Sequence, residues 1–132
     1  LVLIDKDVEA YKAVSEAFKN KSSAGSRKEL QSALQKAISV PEEIIEISID
    51  AIPVAKRLLE IGNKNLISDV ACGITFLRSA IESARVNVYI NLKYISDKDF
   101  VLNKKSNLER KVKTAISDIA EILNAIPICA GV

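Results

Sequence analysis

The strongest constraint on the fold of this chain is the spacing of apolar residues between Ile67 and Val88. The intervals alternate between three and four residues without a break, through Ile67, Val70, Ile74, Leu77, Ile81, Ala84 and Val88. This spacing keeps one side of an α-helix apolar and is typical of helices in bundles and coiled coils. The segment is therefore predicted to be one long helix with a single buried face.

The part of the chain before this segment carries the signals of three further helices. An apolar stripe from Ile4 to Phe18 predicts the first, and a polar loop follows over residues 20–26. Ser26 and Glu29 form a capping-box pattern at the start of a short second helix. Pro41 suits the first turn of a third helix.

Two breaks are expected around that third helix. Pro53 lies inside its apolar pattern, so a kink or break is predicted near Ile49. Gly62 and Asn63 form a stop signal. Asn65 or Ser68 is the expected cap of the fourth helix, which begins at Ile67.

A fifth helix is predicted to follow the central one. Ser96 with Asp99 resembles a cap, and apolar residues recur from Val101 to Leu123. The polar stretch at residues 103–107 is expected to interrupt this helix, and Pro127 to end it. Five helices with short connections predict an all-α, up-and-down bundle.

The composition agrees with a helical core and excludes several functions. Apolar residues make up 48% of the 132 residues, whereas only four Gly and three Pro are present for turns. A net charge of +2 is too balanced to indicate nucleic acid or an anionic membrane as partner. No apolar run has the roughly 20 residues that a membrane-spanning helix needs. A cytoplasmic setting is the default expectation.

Histidine is absent, and neither a Cys/His zinc pattern nor a carboxylate pair stands out, so no metal site is predicted. The two cysteines, Cys72 and Cys129, do not form a disulfide framework, and Cys72 is expected in the core. Proton transfer would have to use Asp, Glu, Lys, Tyr, Cys or bound water.

The polar residues of the fourth helix divide into two flanks. With Asp69 placed at 0°, Arg78, Glu82, Arg85 and Tyr89 fall at roughly 160° to 220° and are predicted to face water. Asn87 and Asn91 return to the flank of Asp69, together with small residues such as Gly73 and Ala80. This second flank is predicted to be shielded from solvent.

Two interpretations of these polar groups remain open. Asp69 is either a first-turn acid of a helix capped by Ser68, or a buried carboxylate with a raised pKa that transfers protons. Asn87 and Asn91 are either satisfied amides between helices or contacts to the edge of a ligand ring. Asp69 and Asn87 are about 27 Å apart on a straight helix, so one small pocket needs a bend or a second subunit.

At this segment the sequence resembles a known family. The run Gly62-Asn63-Lys64-Asn65-Leu66-Ile67-Ser68-Asp69-Val70, followed by Asn87-Val88-Tyr89-Ile90-Asn91-Leu92, is similar to the C-terminal cyclodeaminase domain of formiminotransferase-cyclodeaminase. It is also similar to the related methenyltetrahydrofolate cyclohydrolases. Leu3-Ile4-Asp5-Lys6-Asp7 and the stretch from Ala37 to Pro41 extend the resemblance.

The resemblance implies a dimeric helical bundle that acts on a tetrahydrofolate derivative without a metal or redox cofactor. A cyclodeaminase closes 5-formimidoyltetrahydrofolate to 5,10-methenyltetrahydrofolate and releases ammonia, whereas a cyclohydrolase opens the methenyl ring with water. The family pattern carries Asp69 over as the candidate for proton transfer. It carries Asn63, Asn87 and Asn91 over as candidate substrate contacts.

The sequence departs from the family at its start. The family begins with helices that precede Leu1 and with a Gly-rich turn like Pro-Thr-Pro-Gly-Gly-Gly, and neither is present here. Residues 1–132 are therefore expected to form a single, N-terminally incomplete cyclodeaminase-like domain. Cyclodeaminase is the leading hypothesis for the function, and cyclohydrolase or a non-catalytic helical interaction scaffold are the alternatives.

Overall fold

A computed structural model describes residues 2–19 and 24–126 and confirms the all-α bundle. The described residues form four α-helices and one short 3-10 turn, which we number in chain order. They are α1 (Val2–Lys19), α2 (Ala24–Ile61), the 3-10 turn (Lys64–Leu66), α3 (Ile67–Leu92) and α4 (Lys98–Asn124). The prediction of five helices is wrong for this part of the chain because the second and third predicted helices are one.

That single helix, α2, is 38 residues long and contains both Pro41 and Pro53. The predicted break near Ile49 does not occur. A proline inside a helix removes one N–H and so deprives the carbonyl four residues earlier of its helical partner. For Pro41 this carbonyl belongs to Ala37, and the side-chain amide of Asn91 in α3 donates to it at 3.4 Å. An adjacent helix thus supplies a substitute for the lost bond.

The core lies where α2, α3 and α4 meet. The predicted apolar stripe of α3 is confirmed, since Ile74, Ile81 and Val88 are fully buried. They lie in one cluster with fully buried residues of α2 and α4, namely Leu34, Ile38, Ile45 and Ile119. This cluster fixes α3 in the bundle and decides which of its flanks remain outside.

The ends of the helices differ in detail from the prediction. Asp97, not Ser96, caps α4, because its carboxylate accepts the backbone N–H of Phe100 at 2.9 Å. The polar residues 103–107 do not interrupt α4. The helix α2 begins at Ala24, two residues before the predicted cap at Ser26. Residues 20–23 of the predicted loop and Pro127 lie outside the described residues.

Ion pairs fasten α1 and α4 to α2. Three neighbouring glutamates of α2 each bind a lysine of another helix, in the pairs Lys6–Glu43 (2.8 Å), Lys104–Glu42 (2.7 Å) and Lys111–Glu46. All three pairs are partly solvent-exposed, so each contributes on the order of 1 kcal/mol or less. They orient the helices more than they stabilise them.

None of the helices described between residues 2 and 126 combines the length and apolar character that crossing a bilayer requires.

Candidate functional site

Two grooves border α3, and the predicted site residues lie on them. The first groove lies between the C-terminal half of α2 and the N-terminal half of α3 and has a volume of about 550 Å³. We call it the Asp69 groove. Its walls are largely apolar, and two of the predicted site residues, Asn63 and Asp69, lie on it; the lining also includes Val54, Leu58, Leu66, Val70, Gly73 and Leu77.

The volume of the Asp69 groove is about 550 Å³. This volume lies within the roughly 300–1,000 Å³ of typical small-molecule sites. An apolar groove with a few polar groups at its edge suits a flat ligand that carries a hydrogen-bonding rim.

The turn between α2 and α3 positions Asn63 at the mouth of this groove. The last turn of α2 closes with a bond from the Gly62 N–H to the Leu58 carbonyl at 2.8 Å. The Asn63 side-chain oxygen then accepts the N–H of Asn65 at 3.0 Å and caps the 3-10 turn. Because only Oδ1 is used in this bond, the Nδ2 group of Asn63 can still donate to a ligand.

Asp69 lies in the first turn of α3, which agrees with its interpretation as a first-turn acid. The predicted capping by Asn65 or Ser68 is wrong, because the N-cap position of α3 is Leu66 and no side chain caps it. Within residues 2–19 and 24–126, no hydrogen bond or ion pair engages the Asp69 carboxylate. The positive end of the helix dipole stabilises its charge.

The second groove lies at the other end of α3, between α1, the N-terminal half of α2 and α3, and has a volume of 440 Å³. We call it the Asn87 groove. Asn87 and Asn91 both lie on it, and Asn91 also donates to the Ala37 carbonyl described above. Asn91 thus links two helices, as one of the two interpretations predicted, but it binds a backbone carbonyl and not a second side-chain amide.

Sequence reasoning missed three polar residues of the Asn87 groove. Asp7, Tyr11 and Lys12 of α1 line it opposite Asn87. Tyr11 was interpreted only as a member of the apolar stripe of α1. The packing of α1 on α2 brings these residues to the groove, and no local pattern in the sequence predicts that packing.

The four predicted site residues therefore form two separate pairs in one chain. Asn63 and Asp69 share one groove, and Asn87 and Asn91 share the other. Because α3 is continuous, Asp69 and Asn87 are separated by about 27 Å along its axis. A single copy of the chain does not bring them together.

The assignment of the two polar flanks of α3 is wrong for the isolated chain. Arg78, Glu82, Arg85 and Tyr89, predicted to face water, are only partly exposed. The flank of Asp69, predicted to be shielded, is instead mostly exposed, and the predicted core residue Cys72 is exposed on the same helix. The physical reason is the position of α4, which covers part of the predicted wet side.

Tyr89 and Arg85 of α3 contact Glu109 of α4. Its hydroxyl donates to Glu109 of α4 at 2.7 Å, and Arg85 lies 3.4 Å from the same carboxylate. Burial raises the pKa of Tyr89 above its ordinary value of 10.0, and the hydrogen bond and negative charge of Glu109 raise it further, against the opposing charge of Arg85. This cluster joins two helices and lies away from both grooves.

Among the described residues, no three His, Cys, Asp or Glu side chains come together in a way that could hold a metal ion.

The fold defines a class, that of all-helical bundles, in which two grooves border the helix α3. The family within that class follows from comparison with known proteins. The family model described as formiminotransferase-cyclodeaminase matches residues 1–110, and the chain belongs to this family.

Individual relatives agree with the family. The chain is 33% identical over 112 residues to a methenyltetrahydrofolate cyclohydrolase from Methylorubrum extorquens, and the match covers 81% of this chain and 54% of that protein. It is 26% identical over 129 residues to formimidoyltransferase-cyclodeaminase from Mus musculus, covering 94% of this chain and 24% of the relative. The chain thus spans about half the length of the first relative and about a quarter of the second.

A solved structure shows the same fold. The crystal structure of formiminotetrahydrofolate cyclodeaminase from Thermotoga maritima matches with a TM-score of 0.75 and 36% sequence identity. The match covers 94% of this chain and 62% of that one.

Proposed function

We propose that this chain is part of a folate one-carbon enzyme that closes 5-formimidoyltetrahydrofolate to 5,10-methenyltetrahydrofolate and releases ammonia. The observation that carries the proposal is the Asp69 groove, where a carboxylate without a partner among the described residues and an amide border one apolar cavity in a chain of this family. The Thermotoga relative named as a cyclodeaminase supports the choice of reaction.

The reaction needs one proton to move between two nitrogen atoms. N10 of the folate attacks the carbon of the protonated formimidoyl group (–CH=NH2+) and forms the new C–N bond, while the C=N π electrons move to the formimidoyl nitrogen. The proton of N10 must then reach that nitrogen, so that the bond between it and the carbon breaks with release of ammonia and leaves the methenyl cation. A carboxylate can take the proton from N10 and give it to the departing nitrogen, and it ends the cycle unchanged. Asp69 is our candidate for this step.

The rest of the groove would hold the substrate in place. Its apolar walls suit one face of the pterin ring, and the Nδ2 group of Asn63 can donate to an acceptor on the ring edge. Orientation of this kind accounts for a large part of the acceleration of intramolecular ring closures.

Cyclohydrolase activity is the second candidate. The Methylorubrum relative is named a methenyltetrahydrofolate cyclohydrolase. The methenyl compound is the product of the cyclodeaminase reaction and the substrate of the cyclohydrolase reaction. The same carboxylate could then accept a proton from the attacking water. A spectroscopic assay separates the two, because one reaction forms the methenyl compound with release of ammonia and the other consumes it.

The test compares Asp69→Asn with wild type, and with Asp118→Asn on an exposed position of α4 as the matched control. We expect Asp69→Asn to lower kcat by about 10²- to 10⁴-fold, the usual contribution of a general acid–base group. The control should remain at the wild-type rate. Wild-type kcat in Asp69→Asn, or absence of tetrahydrofolate binding by calorimetry, would contradict the proposal and favour a helical scaffold.

A further inference from the structure

The two prolines of α2 lie in different surroundings. Pro41 is buried, whereas Pro53 is exposed. Each proline leaves the carbonyl four residues earlier without its helical N–H. Water can replace that N–H on an exposed face, but the carbonyl that Pro41 leaves free belongs to Ala37, which is only 8% exposed. Its partner has to come from the protein, and the side-chain amide of Asn91 donates to it at 3.4 Å.

This hydrogen bond fixes the orientation of the Asn91 amide. A carbonyl oxygen accepts hydrogen bonds and cannot donate them, so the amide atom that meets the Ala37 carbonyl is Nδ2 and not Oδ1. Because an amide group is planar, Oδ1 is then held in one place as well, and no hydrogen bond from residues 2–19 or 24–126 engages it. Ala37, Pro41 and Asn91 all line the Asn87 groove. The wall of this groove therefore contains a fixed acceptor oxygen.

Asn87, the other amide of the same groove, has no such restraint. Its side chain is exposed, and within the described part of the chain it makes no hydrogen bond. An amide of this kind can turn about its last side-chain bond and offer either its oxygen or its nitrogen to a ligand. The groove therefore combines one amide that adapts to a ligand with one that does not.

We propose that Pro41 is a positioning residue that makes Asn91 a fixed acceptor, so that the Asn87 groove prefers small ligands with an N–H or O–H donor to ligands of the same shape without one. An alanine at position 41 restores the N–H that the Ala37 carbonyl accepts in a regular helix. The Asn91 amide is then free to turn, as that of Asn87 is, and the preference for donors falls. This inference goes beyond the proposed function and holds for either reaction at the Asp69 groove.

A double-mutant cycle tests the link between Pro41 and Asn91. Urea unfolding is measured for wild type, Pro41→Ala, Asn91→Ala and the double variant. In wild type, Asn91→Ala takes away the partner of the Ala37 carbonyl, so the unfolding equilibrium constant should rise about 5- to 150-fold. In the Pro41→Ala background the restored N–H binds that carbonyl, and the rise should be several-fold smaller. Rises that agree within about twofold, as for independent residues, would overturn the proposal.

Pro53→Ala is the matched control for this cycle. Pro53 is a second proline in the same helix, but it is exposed and lies about 18 Å further along the axis of α2. The effect of Asn91→Ala should therefore agree within about twofold with and without Pro53→Ala. Coupling to Pro53→Ala as strong as the coupling to Pro41→Ala would mean that α2 responds as a whole, and it would overturn the specific link.

Nuclear magnetic resonance of the side-chain amides measures the restraint on Asn91 directly. In wild type, the Nδ2 protons of Asn91 should exchange with solvent more slowly than those of Asn87 and of Asn103, an exposed residue of α4. In Pro41→Ala the exchange at Asn91 should become as fast as at Asn87, while Asn103 stays unchanged. Equal exchange at Asn91 and Asn87 in wild type would overturn the proposal. The measurement needs only Pro41→Ala and so does not depend on the stability of the Asn91 variants.

Two probes of the same shape test the selectivity of the groove. Indole carries an N–H donor where benzofuran carries an oxygen atom, and binding is followed by shifts of the Asn91 side-chain resonances. In wild type we expect indole to bind about 2- to 10-fold more tightly than benzofuran, the usual net worth of one hydrogen bond. In Pro41→Ala the two affinities should become nearly equal, because the freed amide can turn Nδ2 to the benzofuran oxygen.

Three results of this titration would overturn the selectivity. They are equal affinities in wild type, a ratio that Pro41→Ala leaves unchanged, and no shift at Asn91 with either probe at millimolar concentration. None of these measurements involves a folate, so a failure here is distinguishable from a failure of the proposed function.

Discussion

Replacing Gly62 by alanine should destabilise the chain, because there is no room for a Cβ atom at this position. A Cβ on Gly62 would lie 2.2 Å from the Leu58 carbonyl oxygen, more than 1 Å inside ordinary contact distance. The neighbouring atom is backbone and already accepts the Gly62 N–H at 2.8 Å. Relief of the clash must therefore distort the last turn of α2 or break that bond, at a cost of about 1–3 kcal/mol.

The assay is urea unfolding followed by circular dichroism. Gly73→Ala is the matched control, because it has open space and should gain about 0.5–1 kcal/mol as a helix-interior glycine replaced by alanine. Gly62→Ala should also weaken folate binding, since Asn63 follows it directly. A Gly62→Ala chain as stable as wild type would refute the argument from the close contact.

Three further outcomes follow from the structure. Ile81→Ala, at a fully buried position, should cost about 2–5 kcal/mol in urea unfolding, whereas Val86→Ala on the exposed surface should cost well under that. The pKa of Tyr89 is raised in the folded chain, so its contribution to the free energy of unfolding is complete below pH 10.0 and is lost as pH rises through the folded-state pKa. In urea unfolding at several pH values, Tyr89→Phe should abolish this loss of stability at high pH, whereas the control Tyr11→Phe should keep it. Asp97→Ala should lower the free energy of unfolding by about 1 kcal/mol in urea or thermal unfolding, because it removes the cap of α4. Asp97→Asn should keep most of the wild-type stability, because an asparagine side chain can also cap the helix.

The sequence was most informative about α3. Its alternating apolar intervals predicted both the helix and its buried residues, because a residue's side of a helix follows from its spacing alone. Neither proline of α2 marks a helix boundary, although a helix start at Pro41 and a break near Ile49, caused by Pro53, were predicted. Whether a proline interrupts a helix depends partly on what replaces the lost hydrogen bond, and for Pro41 the replacement comes from Asn91, which is distant in sequence.

The candidate site was only partly predictable. Asn63 and Asp69 could be placed near each other because a short turn separates them, and the structure brings both to one groove. The exposure of the flanks could not be predicted, since it depends on where α4 packs. Arg85 and Tyr89 are long enough to reach across to Glu109, and nothing local to α3 specifies that contact.

The long helix α2 has a consequence for how the chain acquires its fold. It contacts α1, α3 and α4, and the first two are its neighbours in sequence. Most of the packing is therefore between consecutive helices, and such low contact order is associated with folding in microseconds to milliseconds. During synthesis, α1 and α2 can dock before α3 has emerged, so the core has a platform on which the later helices assemble.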